Sequence, residues 1–356
     1  MVSVILFASE KAREKAASAA SKIMSAGNTD LIIVGDASLE GVADGVFVSA
    51  SDGSSLSEAT QLAIKAAKSP SVLFLSADCE FTPEMLNAWL LETSQLSSSI
   101  KYSSSQDYSD ALSLSTLSGE AIVEAVQHGS SWPVGALALP AQWAAQSITA
   151  SSVSYLDLAA QLIMTAANEG MEIEAFSAAI GGMDTVLTPS PEVCACILAN
   201  AVNIFPIEEL FPNHAWKEHS QEAAAASYQT LAAVFIRLGD LSNALDSLRL
   251  SDQFEESPRS LALRGLIAQI RGETLGAVAN MVSSLQQYEA RKKSEGRYIR
   301  FQPKDLEIVN TCLASGLEAL NKRNNDQALD HFAKAVFNFD AFYSQLGLDS
   351  LERSEA

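Results

Sequence analysis

Between Lys101 and Lys217 the chain carries no lysine and no arginine. Any site for a phosphorylated ligand in that stretch lacks basic side chains. It is left with a metal held by carboxylates, or with a helix N-terminus. Cysteine is also scarce: Cys79, Cys194, Cys196 and Cys312 are the whole set. Cys194 and Cys196 form a lone pair with no second pair and no nearby histidine ligands, which excludes a zinc ribbon. Reduced thiols in a cytoplasmic setting are the expectation. No apolar run approaches the roughly 18 residues of a membrane span, so none is expected. The opening Val2-Ser-Val-Ile-Leu-Phe-Ala is too short for a secretory core and has no basic flank. Positive charge is thin overall, with a formal net charge of -20. Residues 1–200 hold 7 Lys+Arg against 22 Asp+Glu. Such an acidic protein repels nucleic acid and anionic membranes and favours basic partners or divalent cations.

What is present is ample apolar material. Hydrophobic residues make up 48% of 356 positions, enough for ordinary packed cores in two domains. The first hundred residues alternate short apolar runs with helical patterns. Ser3–Phe7, Leu31–Val34, Val46–Val48 and Val72–Leu75 read as strands. Ser9 is expected to cap a helix through Met24 that ends near Gly27. Ser55–Lys68 reads as a helix stopped by Ser69-Pro70. Thr82-Pro83-Glu84 is an N-cap, a first-turn proline and an acidic first turn. This βαβ alternation predicts a mostly parallel sheet between helices, with ligands beyond the carboxyl ends of its strands. That places Asp36 and the segment 76–80 on one rim.

Further along, Ser97–Ser99 and Ser103–Ser105 predict a loop, Val134–Leu139 a strand, and Ser154–Glu169 a helix ending at Gly170. Phe205-Pro206-Ile207 and Phe211-Pro212-Asn213 mark a boundary, giving a domain over 1–204, a linker over 205–220 and a helical domain over 221–356. His128, His214, His219 and His331 show no nucleophile pattern around them and are expected to be surface or packing residues. The helical part shows internal similarity. Arg237-Leu-Gly-Asp-Leu-Ser-Asn-Ala244 is echoed by Ile270-Arg-Gly-Glu-Thr-Leu-Gly-Ala277, and again near Ala328 after an insertion around 285–304. That insertion holds the basic cluster Arg291, Lys292, Lys293, Arg297, Arg300 and Lys304, a candidate contact for an acidic partner.

The helical part resembles tetratricopeptide repeats. Tyr228, Leu231, Phe235, Gly239, Ala244 and Leu248 occupy that family's large, small and turn positions. Gly265, Gly272, Ala277 and Met281 follow in a second unit, and Gly316, Ala319, Ala328, Phe332 and Ala335 in a third. The resemblance implies stacked helix pairs that bind a protein partner or further copies of the chain.

The first 200 residues resemble the GT-A fold of inverting, family-2-type glycosyltransferases. The resemblance rests on Val2-Ser-Val-Ile-Leu, on Asp30-Leu-Ile-Ile-Val-Gly35-Asp36 and on Val72-Leu-Phe-Leu-Ser76-Ala-Asp78-Cys-Glu80 before Thr82-Pro83-Glu84. It implies that Asp36 positions a nucleotide and that Asp78 with Glu80 holds Mg²⁺ or Mn²⁺. The departures fall on the chemistry. Gly35 stands where the family has the first aspartate of an acidic turn, and Ser76 where its metal motif begins. In one register Ser154 and Tyr155 replace the family's Glu-Asp pair; in a register shifted by two, Asp157 becomes the catalytic base. Two readings follow. One is an interaction protein built on a catalytically degenerate glycosyltransferase-like domain, a pseudoenzyme needing no cofactor. The other is an active, metal-dependent transferase that recruits its acceptor through the repeats.

Overall fold

The computed structural model describes residues 1–9, 12–49, 55–103, 112–148, 152–177, 187–214, 216, 220–254 and 257–273, and scattered positions from 276 to 334. Contacts divide the chain into two compact units, Met1–Leu210 and Phe211–Ala356.

The first unit is built on a seven-stranded sheet. β1 (Val2–Ala8), α1 (Arg13–Ser25), β2 (Thr29–Gly35), β3 (Val46–Ser49), α2 (Leu56–Ala66), β4 (Ser71–Ser76) and α3 (Pro83–Ser94) alternate as expected. β5 (Ile100–Tyr102), α4 (Gly119–His128), β6 (Ala136–Pro140), α5 (Ala141–Ser147), α6 (Tyr155–Asn168), β7 (Ile173–Ala175), α7 (Pro191–Ile204) and α8 (Ile207–Leu210) complete it. The strand order is β3-β2-β1-β4-β6-β5-β7. β1 pairs parallel with β2 and β4, whereas β6 runs antiparallel to β4 and β5. Val2–Phe7 is buried throughout, as a strand covered on both faces must be. Its alternate residues serve different layers. Val2, Val4 and Leu6 join Ile23 of α1 and Leu86 and Trp89 of α3 in one core. Each fully buried large aliphatic side chain in it contributes about 1.5–3 kcal/mol.

Local chemistry explains most helix starts. Ser55 and Glu58 form a reciprocal capping box at α2. Thr82 accepts from Met85 N at α3, with Pro83 in the first turn. α4 ends on Gly129 at φ +64, the left-handed cap that glycine adopts without strain. Three expectations need correction. α1 begins at Arg13 and is capped by no side chain; Ser9 contributes only its carbonyl, to Ala12 N at 2.9 Å. The serine-rich stretch contains β5, because Lys101 and Tyr102 find partners on β6 that lie far along the chain. The strand expected at Val134–Leu139 is displaced to Ala136–Pro140.

The second unit is helical wherever an element is described. α9 (Ser220–Leu238) and α10 (Leu241–Phe254) are joined through Gly239, at φ +84, and α11 (Pro258–Ile270) packs against both. Leu231, Phe235, Ala244 and Leu248 are buried at the α9–α10 contact, and Tyr228 stacks on Phe254 at 6.0 Å. A buried polar network ties the three helices together. Gln229 Nε2 donates to Ser251 Oγ at 3.0 Å and to Ser257 Oγ at 2.7 Å. Met281, Phe332, Ala335 and the basic cluster from Arg291 to Lys304 lie outside the described residues.

Candidate functional site

A cleft of about 670 Å³ opens beyond the carboxyl ends of β1, β2 and β4. Ser9, Asp36, Ser76 and Asp78 form its strand-end rim. Ser55, Ser152–Leu156 and Leu187–Ser190 form the opposite wall. Asp36 and Asp78 therefore do meet on one cleft. Glu80 does not line it. Glu80 lines a neighbouring groove with Lys15, Lys22 and Phe81, which touches the cleft only through Asp78.

Each rim residue has a local reason for its place. Asp36 accepts from Ser38 N at 2.8 Å and caps the single turn Ala37–Leu39, and that hydrogen bond holds its carboxyl below the usual range. Gly35 is glycine for want of room: a Cβ there would collide with the Ala8 carbonyl oxygen and the Leu39 side chain. A carboxylate at position 35 is thus excluded by the β1 backbone. Ser76 Oγ accepts from Asp78 N at 3.2 Å, so the serine shapes the turn that presents Asp78. Asp78 itself pairs with Lys15 Nζ at 3.3 Å across solvent-exposed side chains. Arg13, two residues earlier on α1, donates to the Ser38 carbonyl, so α1 contacts both rim loops.

Asp157 sits differently. It occupies the first turn of α6 and is 0% exposed. Its Oδ1 accepts from Ser154 N and Ser154 Oγ, both at 2.6 Å, and its Oδ2 accepts from Val153 N at 3.1 Å. Burial pushes its carboxyl above the usual range, and these three hydrogen bonds oppose that shift. Every oxygen is engaged in capping, and Asp157 is not among the residues that line the cleft. Tyr155, its neighbour, donates its hydroxyl to Val134 O at 2.6 Å and packs its ring on Phe7 at 4.7 Å. Burial raises the phenol well above its ordinary value.

The remaining support for an anionic ligand is a helix N-terminus, and three converge here. α2, α6 and α7 start at the cleft, with Ser55, Ser154 and Ser190 as their N-caps. Each cap hydroxyl already accepts an N–H of its own helix. Glu58, Asp157 and Glu192 stand in the three first turns and already offset the positive helix ends. Among the described residues, no lysine or arginine lines the cleft. Nor do the residues fit a divalent metal. Asp78 offers a single carboxylate on this part of the rim, and Lys15 already pairs with it. Among the described residues no cluster of three or more His, Cys, Asp or Glu could hold an ion.

The wall from Leu187 to Val193 was missed in the sequence, although Ser190-Pro191-Glu192 repeats the start signature of Thr82-Pro83-Glu84. Trp132, which bridges to Leu187 with mutual backbone bonds of 2.8 and 2.9 Å, fixes that wall from 55 residues away.

No family model matches the chain, and no curated protein matches it. Among solved structures it is similar to glucosyl-3-phosphoglycerate synthase from Mycobacterium tuberculosis, in complex with Mn²⁺, UDP-glucose and phosphoglyceric acid. The identity is 16%, over 58% of this chain and 81% of that one, with a TM-score of 0.41. It is also similar to residues 1–349 of S. aureus TarS in complex with UDP-GlcNAc, at 14% identity over 85% and 94% of the two chains, TM-score 0.39. A mycobacterial protein aligns at 14% identity over 67% and 75%, TM-score 0.39. Activity and ligand do not follow from likeness at this level. Among the described residues no helix is long and apolar enough to cross a membrane.

Proposed function

We propose that the chain is an interaction protein built on a glycosyltransferase-like domain that no longer transfers sugar. The observation that carries this reading is the state of Asp157. Inverting transfer needs a general base within reach of the acceptor hydroxyl. The only carboxylate that a shifted register offers for that task is fully buried, with both oxygens committed to the start of α6. Supporting it, Ser76 and Gly35 leave no paired carboxylates for a metal, and the helix ends facing the cleft are already compensated. In this reading the second unit, with its tetratricopeptide-like pattern, contributes a surface for a protein partner or for further copies of the chain, in the cytoplasm. The basic cluster Arg291, Lys292, Lys293, Arg297 and Arg300 adds a contact for an acidic partner.

The test is thermal unfolding with UDP-glucose or UDP-GlcNAc, with and without Mn²⁺, followed by a turnover assay. A ligand at 100 times its dissociation constant adds about 2.7 kcal/mol. No metal-dependent shift and no turnover is the expected outcome; either one overturns the reading.

One observation favours a second reading, an active metal-dependent transferase: Asp36 and Asp78 do share the open cleft. There Asp36 would hold the nucleotide and Asp78 the metal, and Asp78→Ala would abolish turnover.

A further inference from the structure

We propose that the cleft of the first unit binds a linear aliphatic polyamine, with one ammonium group at Asp36 and another at Asp78. The proposal deepens the reading of a cleft that no longer handles a nucleotide sugar, and rests on it.

Among the described residues, Asp36 and Asp78 are the only charged side chains that line the cleft. Asp36 directly follows β2, and Asp78 lies two residues beyond the end of β4. β1 runs between those strands, so the two turns leave the sheet two strand spacings apart, about 10 Å. Both aspartates are exposed. Ser38 N donates to Oδ1 of Asp36, and Lys15 Nζ to Oδ1 of Asp78. A carboxylate accepts several hydrogen bonds on two oxygens, so each can take a further donor. The Lys15 pair is exposed at both ends, a contact that an incoming ammonium group exchanges at little cost.

The surface between the two charges suits an alkyl chain. Phe7, near the end of β1, packs its ring on Tyr155 at 4.7 Å, and both line the cleft with Leu156 and Val153. Val153 is 64% exposed. Methylene groups rest on such carbon while their charged ends reach the rim, and aromatic faces attract cations. Ser152 supplies an independent sign of a ligand. It lines the cleft and is 4% exposed, and its Oγ has no hydrogen-bond partner among the described residues. A buried hydroxyl left unpaired is costly, and an ammonium N–H entering the cleft would satisfy it. The three helix starts do not oppose a cation, because Glu58, Asp157 and Glu192 offset their positive ends. The cleft volume of about 670 Å³ is that of a small-molecule site, which favours a free polyamine over a protein surface.

The test titrates spermidine into the full chain by calorimetry. One saturable site per chain is expected, weakened about tenfold in Asp36→Asn and in Asp78→Asn. Butylamine, with a single ammonium group, should bind at least about tenfold more weakly than spermidine. The double variant Glu40→Gln, Asp44→Asn removes two exposed carboxylates outside the cleft and should bind as the parent does. Equal weakening in that variant, or several equivalent sites per chain, would reduce the contact to attraction by the net charge of -20 and overturn the site. Full affinity in both aspartate variants, or no saturable binding, would overturn it as well. UDP-glucose with Mn²⁺ is titrated in parallel. If neither ligand binds, the polyamine site falls and the loss of sugar transfer stands. A metal-dependent response to UDP-glucose overturns the underlying reading and the polyamine site with it.

Discussion

The two sides of the cleft handle aspartate in opposite ways. On the strand-end rim, Asp36 and Asp78 reach water, one capping a short turn and the other facing Lys15. On the helical wall, Asp157 is sealed from solvent and spends both oxygens on backbone and hydroxyl donors of its own helix start. The residue type is the same and its work is not. A carboxylate whose hydrogen-bonding capacity is filled by its own fold is a structural part, whereas an exposed one keeps its contact with water.

That contrast can be broken by mutation. The largest effect is expected for Asp157→Ala. Losing three hydrogen bonds to a buried carboxylate, the Asp157 half of the α6 capping box, should cost about 2–4 kcal/mol in urea unfolding. A cost below about 0.5 kcal/mol would place Asp157 on the open cleft after all. Gly35→Asp comes next. It adds a carboxylate beside Asp36 but forces a side chain into the β1 carbonyl, and should cost about 1–3 kcal/mol, read as a lower melting temperature. If it is tolerated and confers Mn²⁺ binding, the steric exclusion of a carboxylate at position 35 is wrong.

Acid titration sharpens the comparison further, because the two sides carry opposite signs. Asp157 has its folded pKa raised, so its share of stability is fully present below the unfolded value of 3.8 and is lost as pH rises through the folded value. Asp36 has its folded pKa lowered, so its share is present above 3.8 and is lost as pH falls through the folded value. Carboxyl titration by NMR should therefore show the two aspartates displaced in opposite directions, and matching midpoints would refute the contrast. Lys15→Ala should have the smallest effect, under about 1 kcal/mol in the same unfolding assay, since its pair with Asp78 is exposed and screened.

Much of the fold was legible because its signals are local. Continuous apolar runs marked β1, β2 and β4, and Thr82-Pro83-Glu84 marked the start of α3 with no help from distant residues. β5 was not legible. Its three residues sit among serines and become a strand only because β6 supplies the partners. The antiparallel course of β6 was equally hidden, since pairing direction leaves no mark on a strand's own composition. At the site, Asp36 and Asp78 were placed on their common rim from spacing alone. Glu80 and Asp157 were not placed by it: one turns to the next groove, and the other is claimed by Ser154.

Composition and local pattern were enough to specify the α/β character of the first unit, the Thr82 cap of α3 and the poverty of positive charge, all of which depend on near neighbours. The distribution of carboxylates between water and core came from packing. Lys15 meets Asp78 across 63 positions, and the Ala8 carbonyl closes the space beside Gly35. Contacts between residues so far apart exist only once the sheet has brought its strand ends together.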